Sequence, residues 1–219
     1  KLKMLLHSQC IGHFQACNYG KNGDGDRQND RSRKVQDRNE NEDTDYTLEG
    51  TRAHEVAEMV ARGFVTGEPY RVSTKATTEM IDCAIGYRDY IQEQIKDDSA
   101  VILLEQRVDF SPWVPDGFGT ADCIIIQGDT LTIIDYKYGQ GVAVSATDNP
   151  QMKLYALGAM NDYGIAYEAT KVEMHIYQPR MNNISTCTLS VETLTAWAEE
   201  TVKPLAALAA KGEGEYLPG

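Results

Sequence analysis

One stretch, residues 119–137, constrains this chain more than any other: G-T-A-D-C-I-I-I-Q-G-D-T-L-T-I-I-D-Y-K. Residues 123–126 and 131–134 are short, Ile-rich apolar runs that suit buried strands. Gln127-Gly128-Asp129-Thr130 between them is turn chemistry, so the pair is expected to form a β-hairpin. The charges stand where the apolar runs end. Asp122 is expected to open the first strand; Asp135 and Lys137 close the second, two residues apart and therefore on one face. Folding the hairpin brings Asp122 back beside Asp135. Two acids and a lysine at one end of a buried sheet are costly unless a cation or a substrate balances them.

The rest of the chain supplies helices and strands around that hairpin. Residues 48–63 carry an apolar stripe at helical spacing (Ala53, Val56, Ala57, Val60), with His54 beside it and Gly63 as the expected stop. Residues 78–97 form a second expected helix and residues 101–110 a strand, interrupted by Glu105 and Arg107. After the hairpin comes a glycine-punctuated loop at 138–141. Asn149-Pro150 then reads as an N-cap followed by Pro at the first helical position. Gln151 and Tyr155 lie four apart on that helix, hence on one face. A strand at 171–178 and a helix at 191–211, kinked near Pro204, complete the reading. The order predicts an α/β layer arrangement around a mixed central sheet.

The ends read differently. Residues 1–20, with His7, Cys10, His13 and Cys17, suggest a short packed helix, and their spacing matches no common zinc finger. Residues 20–46 are polar and read as a solvated loop or disordered insertion. Asn22 to Asp26 hints at a calcium loop, but Arg27 stands where Gly is required and Arg33 where the bidentate Glu belongs. Arg27, Arg31, Arg33 and Lys34 could reach phosphates, although interspersed acids also fit a mixed-charge surface loop. The chain starts without Met and stops at Gly219, which suggests a fragment lacking a carboxy-terminal tail.

At 219 residues the chain is long enough for one core, so residues 1–219 are expected to form a single domain. The net charge of −12 argues against broad, nonspecific adhesion to nucleic acid. It leaves room for a local site in which divalent cations reverse the field. Five cysteines without a C-x-x-C pair make no disulfide framework, and a reducing, cytoplasmic setting is expected. No run approaches membrane-spanning length, so no membrane partner is expected.

Asp122 and Asp135 are hard oxygen ligands of the kind that hold Mg²⁺ or Mn²⁺. Beside such a metal, Lys137 could orient an attacking water and stabilise developing negative charge. Taken alone, the same residues fit a strand-end ion pair with Asp122 capping the turn.

Their company in chain order separates these readings. Gly50-Thr51-Arg52-Ala53-His54, Gly119-Thr120-Ala121-Asp122, Asp135-Tyr136-Lys137 and Gln151-Met152-Lys153-Leu154-Tyr155 follow one another on the expected element types. This ordered set resembles the PD-(D/E)xK nuclease superfamily, in the RecB-like branch that includes phage-type exonucleases. The resemblance spans residues 50–155; Ala121 stands where the superfamily's Pro would be. It implies a restriction-endonuclease-like core and a metal held by His54, Asp122, Asp135 and the backbone carbonyl of Tyr136. By the same resemblance Lys137 is the catalytic lysine, and Gln151 and Tyr155 position it or the substrate. Glu105 is either a further acid near the site or half of a surface ion pair with Arg107. Some relatives carry an iron–sulfur cluster, for which Cys17 could be the first ligand. The remaining cysteines are not in this sequence, so a cluster is expected only in a longer chain.

The leading expectation is thus a Mg²⁺- or Mn²⁺-dependent DNA nuclease, of exonuclease type, acting in phage or prophage recombination or DNA processing. DNA is the expected partner, alongside a phage recombination or single-strand-annealing protein, and an oligomer is compatible. A non-cleaving DNA-end or protein-binding module on a nuclease-derived fold is the alternative, and a small-phosphoester hydrolase is a third class.

Overall fold

The computed structural model describes residues 45–72 and 75–212. Helix α1 (Asp45–Thr66) and helix α2 (Thr78–Gln94) precede strands β1 (Val101–Asp109), β2 (Phe118–Gln127) and β3 (Thr130–Tyr136). Helix α3 (Pro150–Ala159) runs into a π turn at Met160–Gly164. Strand β4 (Lys171–Gln178), a 3-10 turn (Pro179–Met181) and strand β5 (Asn183–Ser190) come next. Helix α4 (Val191–Trp197), a second π turn (Ala198–Val202) and helix α5 (Lys203–Ala210) follow. The helix expected over residues 1–20, most of the polar loop at 20–46, Cys17 and the basic residues Arg27, Arg31, Arg33 and Lys34 lie outside the described residues.

The five strands form one sheet in the order β1-β2-β3-β4-β5. Neighbours are antiparallel except β3 and β4, which run parallel. A parallel pair needs a crossover, and α3 supplies it. The fold is α/β, with a central mixed sheet flanked by helices.

Alternation along the strands sorts the side chains into two layers. Ile124, Ile126, Leu131, Ile133, Val172, Met174 and Ile176 pack on the side of α3, α4 and α5. Cys123, Ile125, Ile134 and Tyr136 pack on the side of α1 and α2. Strand β3 lies in the middle, and all of its residues are buried. A charge on β3 must therefore be matched by protein groups or by a bound ion.

Two expectations need correction, one strand was not foreseen, and the expected kink is present. Helix α1 continues through Gly63, where an added Cβ would lie 2.5 Å from the Tyr70 ring. Its stop is Gly67, which takes a left-handed φ of 71° and donates its N–H to the Gly63 carbonyl at 3.0 Å. Strand β2 begins at Phe118, so Asp122 lies inside the strand and does not open it; residues 118–121 pair with β1 before β3 joins. Strand β5 is an edge strand whose residues alternate between half-buried and exposed, so no apolar face announced it. The kink expected near Pro204 is the π turn just before it, where the missing Pro N–H loosens the helical ladder. Among the described residues, no helix is long and apolar enough to cross a membrane.

Candidate active site

Register brings three acids into one row. Leu104 pairs with Cys123 and Gln106 with Ala121, which sets Glu105 opposite Asp122. Cys123 pairs with Ile134, which sets Asp122 opposite Asp135 one step past the last β2–β3 pair. At Glu105 the β1–β2 pairing lapses, and the backbone turns to φ 49°. That region is uncommon for a residue with a side chain.

Each acid of the hairpin has a basic side chain beside it. Asp122 Oδ2 accepts the Tyr136 N–H at 2.7 Å and lies 3.8 Å from His54 Nδ1. The stripe of α1 buries Ala53, Val56, Ala57 and Val60 against the sheet, which turns His54 toward the strand ends. Its imidazole meets the Tyr136 ring edge-on, with centroids 5.2 Å apart. Asp135, only 2% exposed, has its Oδ2 at 2.9 Å from Lys137 Nζ. That oxygen receives no well-directed hydrogen bond.

Helix α3 adds an amide clamp. Asn149 caps the helix by accepting the N–H groups of Gln151 and Met152, which fixes where Gln151 emerges. Lys137 Nζ donates to Gln151 Oε1 at 3.3 Å. Gln151 Nε2 in turn donates to Asp135 Oδ1 at 3.4 Å and to the Tyr155 hydroxyl at 3.0 Å. The Tyr155 ring lies where a side chain on residue 119 would stand: a Cβ on Gly119 would come within 2.5 Å of its Cε1. The glycine of one motif therefore makes room for the tyrosine of another.

Burial pushes the Asp122 carboxyl above its ordinary range; the His54 imidazole opposes this and Asp135 reinforces it. Glu105 is pushed up to about 8, first by burial, then by Asp122 and by Glu58 of α1, with Arg62 opposing. Among the described residues, no three His, Cys, Asp or Glu side chains converge tightly enough to hold a metal ion as they stand. The donor chemistry nonetheless fits one. The Asp135 carboxylate, paired with Lys137 but with one buried oxygen lacking a well-directed hydrogen bond, stands in register with a desolvated carboxyl on Asp122, and hard oxygens of this type suit Mg²⁺ or Mn²⁺.

The structure brings His54, Asp122, Asp135, Tyr136, Lys137, Gln151 and Tyr155 into one connected network. Glu105 faces that network and not Arg107, whose guanidinium sits 4.2 Å over the Phe118 ring. Lys153, on the same helix as Gln151, is held by Asp148 (2.8 Å) and the Trp197 ring (5.1 Å). Sequence reasoning missed Glu58 and Arg62, which pair at 2.6 Å and sit one and two turns along α1 from His54. Their four-residue spacing from His54 was the available signal. A separate groove of about 660 Å³, lined by Val60, Phe64, Tyr70 and Arg88 among others, includes none of these residues.

A solved structure described as "Crystal structure of SSO0001" is similar at 14% identity over 68% of this chain and 73% of that chain, with a TM-score of 0.29. A family model described as "Protein of unknown function (DUF2800)" matches residues 29–219. With that match spanning most of its length, the chain belongs to the DUF2800 family.

Proposed function

We propose that this protein is a metal-dependent DNA nuclease of the PD-(D/E)xK superfamily. We further propose exonuclease action in the cytoplasm, during phage or prophage recombination or DNA processing. The observation that supports this most is the network around Asp135: a buried carboxylate held between a lysine and a glutamine, with one oxygen lacking a well-directed hydrogen bond, in register with a second aspartate beside a histidine.

In this reading His54, Asp122, Asp135 and the Tyr136 carbonyl would hold Mg²⁺ or Mn²⁺. The ion, when bound, stabilises negative charge on the phosphodiester undergoing hydrolysis. Lys137 supplies the local donor. Its Nζ is held by Asp135 and Gln151, which aim it to orient water and meet developing charge. Gln151 couples Lys137, Asp135 and Tyr155 through one amide, so none of the three can shift alone. Glu105 adds a third carboxyl to the row.

The test is digestion of linear duplex DNA with Mg²⁺ or Mn²⁺ by wild type, Asp135→Ala and Lys137→Ala. Loss of cleavage in both variants supports the assignment, and equal activity in all three rejects it. A second reading, a non-cleaving DNA-end or protein-binding module, draws support from the way each hairpin acid already faces a basic side chain. It predicts DNA binding with no metal-dependent turnover.

A further inference from the structure

We propose that residues 139–142, which follow Lys137 directly, form a rigid, uncharged rim that takes the sugar–phosphate backbone of a nucleic-acid strand through main-chain N–H groups. Gln178 is the positioning residue that holds this rim. The inference rests on the nuclease reading above.

The loop begins and ends at the site. Lys137 on one side and Gln151 on the other both reach Asp135, at 2.9 and 3.4 Å. Consecutive Cα atoms are about 3.8 Å apart, so Gly139 lies within roughly 8 Å of Lys137. The rim therefore sits beside the group that would act on a scissile phosphate.

Its inner edge is built. Lys137 still donates its N–H to the Tyr177 carbonyl at 2.9 Å, as a strand residue would. Beyond it, the side chain of Gln178 takes over. This residue is 2% exposed. Its Nε2 donates to the carbonyls of Gly139 (2.9 Å) and Val142 (3.1 Å). Its Oε1 accepts from the Val144 N–H and from Asn183 Nδ2, both at 3.1 Å. Asn183 also donates to the Val144 carbonyl at 3.0 Å, and Ser185 accepts the Ala146 N–H at 2.9 Å. One buried amide and two neighbours thus stand in for a β-ladder, using the inward-facing polar groups of the loop.

Its outer edge is open. Residues 139–142 are exposed, Val142 by 78%. A Cβ on Gly139 or Gly141 would meet nothing within 4 Å, and neither glycine takes a left-handed φ. Among the described residues, no protein acceptor takes the N–H of Gly139, Gln140 or Gly141. Main-chain N–H groups unobstructed by side chains suit close approach of a phosphate.

Charge explains why uncharged donors are needed. The chain carries a net −12. The cations near the loop are already matched: Lys137 by Asp135, Lys153 by Asp148, and Arg180 by Glu49 and Glu79. Arg180 is also stacked 4.5 Å from the Tyr138 ring, beneath the loop's start.

The test uses the full chain carrying Asp135→Asn to block cleavage, fluorescein-labelled duplex DNA, Mg²⁺ and anisotropy. In that background, Gly141→Asp places a negative charge on the rim where no protein atom is displaced. It is expected to weaken binding about tenfold with an unchanged melting temperature, as charge-assisted hydrogen bonds to phosphate are opposed. Gln178→Leu, made in the cleaving protein, is expected to raise KM for DNA about tenfold while kcat stays within about twofold. Unchanged affinity for Gly141→Asp overturns the rim, whatever Gln178→Leu does to folding. If the wild-type chain cuts DNA and the rim variant binds normally, the rim falls alone. If the parent chain neither binds nor cuts, both readings fall.

Discussion

Two buried ionisable groups on neighbouring strands have opposite fates. Asp135 on β3 and His175 on β4 sit one register step apart and face opposite layers of the sheet. His175 is 6% exposed and closed off by partners: the Tyr90 hydroxyl is 3.0 Å from its Nδ1, and Glu173 is 3.9 Å from its Nε2. Burial holds its imidazole below the ordinary range and pushes the Tyr90 hydroxyl up to about 12. Tyr177 stacks on Tyr90 at 5.1 Å. Asp135 is buried more deeply and rests on Lys137 and Gln151, yet one oxygen lacks a well-directed hydrogen bond and a second acid stands opposite. A buried polar group with its partners in place specifies packing. One that remains crowded by like charge marks a place where a ligand can change the balance.

Paired substitutions at these two positions test the contrast hardest. Asp135→Asn should lower metal-dependent DNA cleavage by on the order of 10³-fold, as loss of a group acting on the reacting phosphate does. His175→Ala should leave cleavage per folded molecule within about twofold. It should instead lower the melting temperature by about 5 °C or more, through loss of a buried, hydrogen-bonded side chain. Cleavage assays and melting curves on both variants decide it; the reverse pattern would dissolve the distinction.

A smaller effect belongs to His54, which approaches Asp122 from a helix across the strand ends. His54→Ala should weaken Mn²⁺ binding by about 10–100-fold, measured by calorimetry. An unchanged affinity would place the ion elsewhere. Smaller again is Gly119→Ala. The added Cβ must displace the Tyr155 ring and, through it, Gln151, and should slow cleavage on the order of tenfold. A steady-state rate equal to wild type would show that Tyr155 does not transmit position to Gln151.

The smallest effect is a slope against pH. Glu105 is raised from 4.5 to about 8, so between those values the folded chain holds a proton that the unfolded chain has lost. Its contribution to stability is full below about pH 4.5 and is lost as pH rises through about 8. Asp122, raised in the same direction, adds to that slope. Melting curves of metal-free protein across this range should show Glu105→Gln losing less stability than wild type as pH rises. Parallel curves would mean that Glu105 does not feel the acid row.

Much of the site could be read from local spacing. Period-two alternation put Asp135 and Lys137 on one face, and a four-residue step on α3 aligned Gln151 with Tyr155, now 3.0 Å apart. The hairpin was legible because its two apolar runs and its turn are contiguous. Strand β5 was not, because an edge strand with one half-buried face carries little hydrophobic signal.

Which groups could share a face within one element was readable from residue order, since helix and strand periods are local. What met across elements depended on how the chain folds. Folding set Glu105 against Asp122 and turned it from Arg107, seated Tyr155 on Gly119, and brought Gln178 under the loop after Lys137. Inter-strand register and the partners of a buried polar group follow from long-range pairing and packing, which no local period encodes.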